Sequence, residues 1–186
     1  QAPRAGRSHQ YDVAPKDKRV RGEVNLHQMP GGHSRSQLNR ALSVAMDAAW
    51  EDGALGVSVR LVNTGAGHAV PTGMPGRRVI LALSVHTGDG RSFEARRVYT
   101  KSFRDGEGHP IARDGLVFGP GVRLDSDSRI RPDEERIEKF AFPVPPDAAA
   151  RVSLKLHYEH APTEGQENRT WLTFYTTERT YTRGGR

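Results

Sequence analysis

Eight histidines are the chemically most versatile side chains in this 186-residue sequence: His9, His27, His33, His68, His86, His109, His157 and His160. None stands in H-E-x-x-H or another zinc-binding spacing. Cysteine is absent, which excludes disulfides, thiolate metal sites and attachment of c-type haem through a C-x-x-C-H motif. Any cofactor must therefore be held by histidine, carboxylate or backbone, or be carried by another chain. Other reaction classes find no support. There is no G-x-G-x-x-G between strand and helix, no phosphate-binding G-x-x-x-x-G-K-[ST] and no G-x-S-x-G nucleophile elbow. The carboxylates of "RPDEERIE" read as a solvated surface ahead of a strand, so a non-catalytic role is expected.

The histidines differ in their settings. His86 and His109 neighbour turns, and His157 reads as an outward strand residue. His157 and His160, three apart at a strand end, make a weak metal pattern. His27 and His33 sit in "NLHQMPGGHS", where a Gly/Pro segment lets an imidazole project free of strand geometry. His68 lies in "VNTGAGHAVPTGMPGRRV", residues 62–79. Gly65 and Gly67 on one side permit unusual backbone angles, while Pro71 and Pro75 on the other remove freedom. Such a loop can hold an imidazole in the fixed orientation that axial metal ligation requires. It can equally be a tight turn whose histidine bonds a backbone carbonyl, and composition leaves both readings open.

The elements that must position these residues are mostly strands. Residues 1–34, with Pro3, Pro15, Pro30 and many charges, read as an extended arm that cannot bury enough apolar surface to order itself. Residues 35–186 read as one domain. "RSQLNRALS" predicts a short helix capped by Ser34 or Ser36. "LSVAMDAAW" and "ALGVSVRLVN" alternate around the turn "EDG" as a hairpin with one buried face. "RRVILALSV" is nearly continuously apolar, which predicts a central strand covered on both faces. "SFEARRVYTKSF" reads as an edge strand, residues 104–135 as a long loop-rich excursion, and "RIEKFAFPV", "ARVSLKLHYEH" and "RTWLTFYTTERTY" as closing strands. About seven strands, one short helix and an N-terminal arm describe an antiparallel, immunoglobulin-like β-sandwich.

Charge is concentrated in the arm. Residues 1–40 carry eight Lys/Arg against three acidic side chains, while residues 41–186 carry 20 against 19. A basic arm with Tyr11 as its one aromatic, followed by no helix-turn-helix, RNP or zinc-knuckle pattern, favours an acidic protein partner over nucleic acid. No stretch approaches the roughly 18 apolar residues of a membrane-spanning helix, so direct membrane insertion is not expected. A start at Gln1-Ala2-Pro3 is what cleavage after a signal peptide leaves. It predicts an exported protein, periplasmic or extracellular.

Several strings together resemble the non-haem β-domain found near the C-terminal end of exported multihaem c-type cytochromes, the cytochrome c554-related proteins among them. They are "HQMPGGHS", "VRLVNTGAGHAVPTGMPGRRV", the "DGEGHPI" turn and "LDSDSRIRPDEERIEKFAF", in order over roughly residues 20–160. The resemblance implies a β-domain packed against haems and places His27 and His68, with His33 beside them, as candidate distal axial ligands. Arg77 and Arg78 become candidate donors to haem propionates. Because this sequence has no cysteine, the haem c would be carried by a multihaem cytochrome polypeptide, with this chain either a separate subunit of a hetero-oligomeric electron-transfer complex or a domain cleaved from the cytochrome. Two other readings stand beside this one. The chain could be a haem-free structural or adhesion module that binds protein or glycan, or it could hold a small histidine-bound copper or zinc site of its own.

Overall fold

A computed structural model describes residues 32, 34–161 and 169–182. The expected arm, with His27 and His33, falls outside the described residues apart from Gly32 and Ser34. Gly32–Arg186 forms one compact unit.

A single helix, α1 (Arg35–Ala41), leads directly into β1 (Leu42–Glu51). Ser34 stands at its N-cap, but its hydroxyl contacts Ser36 rather than a backbone N–H. Leu38 anchors the helix by burial, and Leu42 already belongs to the strand. β1 returns through Asp52 and Gly53, both at positive φ, into β2 (Ala54–Asn63). Alternation works as expected here: Leu55, Val57, Val59 and Leu61 are all buried, while Arg60 points outward.

β3 (Arg77–Thr87), β4 (Ser92–Tyr99), β5 (Lys101–Arg104), β6 (Arg123–Asp127), β7 (Glu135–Phe142), β8 (Ala150–His160) and β9 (Thr170–Tyr181) complete nine strands among the described residues. One sheet has the order β1-β2-β7 and the other β4-β3-β8-β9, with every pairing antiparallel. The two faces enclose Leu55, Val59, Leu61, Val79, Leu81, Val85, Leu154 and Leu156, each at most 0% exposed. Full burial of each such side chain is worth about 1.5–3 kcal/mol. Their inward alternation from both sheets makes the β-sandwich.

Polar contacts close the two flanks of the sandwich. On one, Tyr99 of β4 donates its hydroxyl to Glu138 of β7 at 3.1 Å, and Arg97 Nε donates to the same carboxylate at 3.1 Å. Burial and that carboxylate together push the Tyr99 phenol far up, so it stays a donor. On the other flank Arg179 of β9 donates to the Met46 carbonyl of β1 at 3.0 Å.

Three expectations need correction. β3 is central in its sheet but covered on one face only, since Ile80, Ala82 and Ser84 are half-buried and Arg78 and His86 exposed. The apolar run misled because Ala82 and Ser84 are small enough to sit on an outer face without cost. The predicted single strand "SFEARRVYTKSF" breaks at Thr100, whose N–H donates to the Ser128 hydroxyl and whose own hydroxyl donates to the Arg77 carbonyl. Beyond that break the excursion is not all loop, which raises the strand count above seven. It holds a two-stranded ribbon, β5-β6, and a 3-10 turn at Asp114–Phe118.

Candidate functional site

The strand registers gather one end of the sandwich around the His68 loop. Leu42 pairs with Asn63, Val62 with Glu135, Arg77 with His160 and His160 with Thr170. The loop of residues 64–76 therefore lies at the same end as α1, the start of β7, the end of β8 and the start of β9. The opposite end includes the β3–β4 turn at Gly90, whose φ of 87° requires glycine.

The loop is pinned along its length. Thr64 and Gly65 N–H both donate to the Ala41 carbonyl, at 3.1 and 3.3 Å. An added Cβ at Gly65 would stand 1.9 Å from the Arg40 carbonyl oxygen, so glycine is required for close approach. Gly67 has no atom within 4 Å of such a Cβ. Neither residue has positive φ, which corrects the expectation that both supply unusual backbone angles. Further on, Val70 and Ile130 exchange two backbone bonds at 2.9 and 3.0 Å, and the Val70–Pro71 peptide is cis. At the far end Gly76 N–H donates to Asp114 Oδ1 at 2.8 Å, and the Gly76 carbonyl accepts from Ala161 at 2.8 Å.

Inside this frame His68 is exposed. Its Nδ1 lies 3.2 Å from the Ala69 carbonyl oxygen. A carbonyl can only accept, so in the neutral imidazole Nδ1 carries the proton and Nε2 keeps its lone pair. Nε2 has no hydrogen-bond partner among the described residues. The bond to a backbone carbonyl is the second of the two readings of the sequence. The His68 carbonyl accepts from Asn63 Nδ2 at 2.9 Å.

Arg77 and Arg78 do not act together. Adjacent strand residues point to opposite faces. Arg78 faces out and pairs loosely with Glu159 at 3.8 Å; Glu159 is itself buried and held by Arg169 at 2.7 Å. Arg77 faces the interior and donates from Nη1 to the Thr72 hydroxyl at 2.8 Å, while its Nε is buried with no acceptor. Of the two, Arg78 has the guanidinium that reaches solvent, since the unpartnered Nε of Arg77 is buried.

Beneath the loop lie residues that sequence reasoning did not single out. Asp114 receives Gly76 on one oxygen and His160 Nε2, at 3.0 Å, on the other. Tyr158, 4% exposed, has its hydroxyl near Thr72 and Gly32, and burial raises its pKa. His157 and His160 belong to opposite faces. His157 lies on the outer face, with its ring centroid 4.8 Å from that of Trp171 and its pKa lowered by desolvation and Lys155. No group of three or more histidine or acidic side chains capable of holding a metal occurs among the described residues, and no helix among them is long and apolar enough to cross a membrane.

No family model matches the sequence, and no curated protein matches it. Among solved structures, a penta-haem cytochrome c552 from Thermochromatium tepidum superposes with a TM-score of 0.62 at 20% identity. That match covers 81% of this chain but only 42% of the cytochrome's length. It establishes a shared fold over the β-sandwich. A Bordetella pertussis protein described as ApaA (TM-score 0.33, 17% identity, 77% of this chain and 92% of that one) aligns too loosely to establish one. The same holds for the structural-genomics target SoR45 (TM-score 0.38, 8% identity, 76% and 87%).

Proposed function

We propose that this chain is a non-catalytic β-sandwich module of an exported multihaem electron-transfer assembly, and that it packs on a cytochrome partner's haem c with His68 as a distal axial ligand. The observation that carries the reading is the state of His68. Its imidazole is exposed, and it sits on a loop pinned at Ala41, Ile130 and Asp114 with Nδ1–H engaged and Nε2 bare. Ligating histidines take this form, with one nitrogen donating to a carbonyl and the other free for metal. The fold shared with the c552 cytochrome supports the setting, and the lack of cysteine is in keeping with covalent haem carried outside this sequence.

Haem iron, when bound, supplies one-electron transfer at a potential set by its axial ligands and by water exclusion. This chain's part is to bind, orient and shield. His68 offers a nitrogen in fixed orientation, and Arg78, exposed and only loosely paired with Glu159 at 3.8 Å, is the propionate donor in preference to Arg77, whose Nε is buried. His27 and His33, outside the described residues, remain candidates for a second ligand. A haem-free module binding protein or glycan is the second reading, favoured by the exposure of Leu116 and Phe118 in the excursion. The ultraviolet-visible spectrum of the native assembly separates the two. A Soret band that shifts on His68→Met supports ligation, and an assembly without one refutes it.

A further inference from the structure

We infer that Asn63 is the positioning residue for the His68 imidazole, setting its direction before any partner arrives. This assignment deepens the reading of His68 as a ligand. Asn63 ends β2 at an inward position, continuing the row Leu55, Val57, Val59, Leu61, and is 1% exposed. A primary amide buried there destabilises the fold unless its hydrogen-bonding groups are satisfied. Both Nδ2 protons are used: one goes to the His68 carbonyl at 2.9 Å and one to the Ile130 carbonyl at 3.1 Å. Oδ1 accepts the Ala66 N–H at 3.1 Å. Its backbone is equally engaged, with its N–H donating to Glu134 and its carbonyl accepting from Asp133.

These three side-chain contacts lie on the ascending limb of the loop, on the histidine itself and on the opposing segment. The arc 66–68 is therefore tied at both ends to one rigid amide. On its far side Val70 is locked to the same Ile130 by two backbone bonds. The freedom left to His68 is its own side-chain rotation, and the Ala69 carbonyl restricts that. An exposed imidazole would otherwise sample several rotamers and both tautomers. Asn63 thus also couples His68 to the segment before β7, so that excursion and ligand loop form one unit. Asparagine is the residue this position requires. Aspartate would turn a carboxylate toward two carbonyl oxygens, and serine could not span both acceptors.

The test uses the full chain without haem, labelled uniformly with nitrogen-15 and carbon-13. In the wild type at mildly alkaline pH, His68 is expected in the Nδ1–H tautomer, with Nε2 at the shift of an unprotonated ring nitrogen. The Asn63 Nδ2 protons should show couplings across hydrogen bonds to the His68 and Ile130 carbonyl carbons. In Asn63→Ser, with core methyl shifts unchanged, His68 should become a mixture of tautomers. Amide exchange at Ala66 should quicken on the order of tenfold. A wild-type ring that already averages both tautomers overturns the assignment, as does Asn63→Ser with the wild-type tautomer and exchange rate. Should Asn63→Ser not fold, the wild-type couplings decide: their presence supports the inference and their absence overturns it. Because no haem takes part, these outcomes stand apart from the His68→Met spectrum, and either result can fail without the other.

Discussion

Gly65 and Gly67 look alike in sequence, yet replacing each by alanine should give opposite results. At Gly65 the new Cβ would sit 1.9 Å from the Arg40 carbonyl oxygen and 2.8 Å from its carbon. Both obstacles are backbone, so neither can rotate aside, and the loop must withdraw from the α1–β1 junction. Withdrawal breaks the bonds from Thr64 and Gly65 to the Ala41 carbonyl, each worth about 1 kcal/mol net. Backbone displacement adds to that, for a total near 2–4 kcal/mol. In a domain of this size such a loss lowers the melting temperature by about 5–15 °C. At Gly67 nothing lies within 4 Å and φ is not positive. Alanine there should be neutral or stabilise by about 0.4–1 kcal/mol through the unfolded chain. Urea unfolding of both variants decides it. Equal effects, or a Gly65→Ala loss below about 0.5 kcal/mol, would refute the close approach that anchors the loop.

Other outcomes follow from the same geometry. Gly76→Ala would bring a Cβ to 2.4 Å from the Ala161 carbonyl oxygen and 2.9 Å from Asp114 Oδ1, so urea unfolding should show a loss of about 2–4 kcal/mol. Arg77→Met should change stability by less than about 1 kcal/mol, because the Thr72 bond it loses is offset by removing a buried N–H that has no acceptor. The Asp89 carboxyl, held by Arg91 and Thr87, should titrate at about 2 by NMR. Folded-state carboxyl pKa values are also depressed at Asp127 and Glu134. The stability these groups contribute is therefore present above their ordinary range near 4 and is lost as pH falls from there through their depressed folded-state values. His157, depressed by desolvation, should titrate below 6.5 and oppose folding as pH drops past that value. A midpoint at or above 6.5 would contradict its packing against Trp171.

Most of the fold was legible because period-two alternation is a direct consequence of strand geometry. It located the β1–β2 hairpin, the edge position of β4 and the closing strands β7 to β9. It could not report whether a second layer covers β3, since Ala82 and Ser84 are tolerated on either kind of face. The excursion hid its ribbon because β6 is exposed throughout and carries no alternation to read. At the site, the Gly/Pro frame drew attention to His68, but for an incomplete reason, because close approach at Gly65 matters there rather than glycine's range of angles. Asn63 did leave a signal, a polar residue at the inward parity directly before a glycine-rich loop. Asp114 and His160 left none, because their contact joins segments 46 residues apart. Arg77 and Arg78 were paired by adjacency in sequence, and the pleat separates them.

The central claim is that His68 supplies a nitrogen to iron carried by another chain. The most direct measurement is the reduced and oxidised spectrum of the native assembly, isolated through this chain, for the wild type and for His68→Met. The account expects a co-purifying polypeptide with C-x-x-C-H motifs, a Soret band in the wild type, and a shifted band or reduction potential in the variant. An assembly with no haem absorbance, or a haem spectrum and potential unchanged by His68→Met, would contradict it.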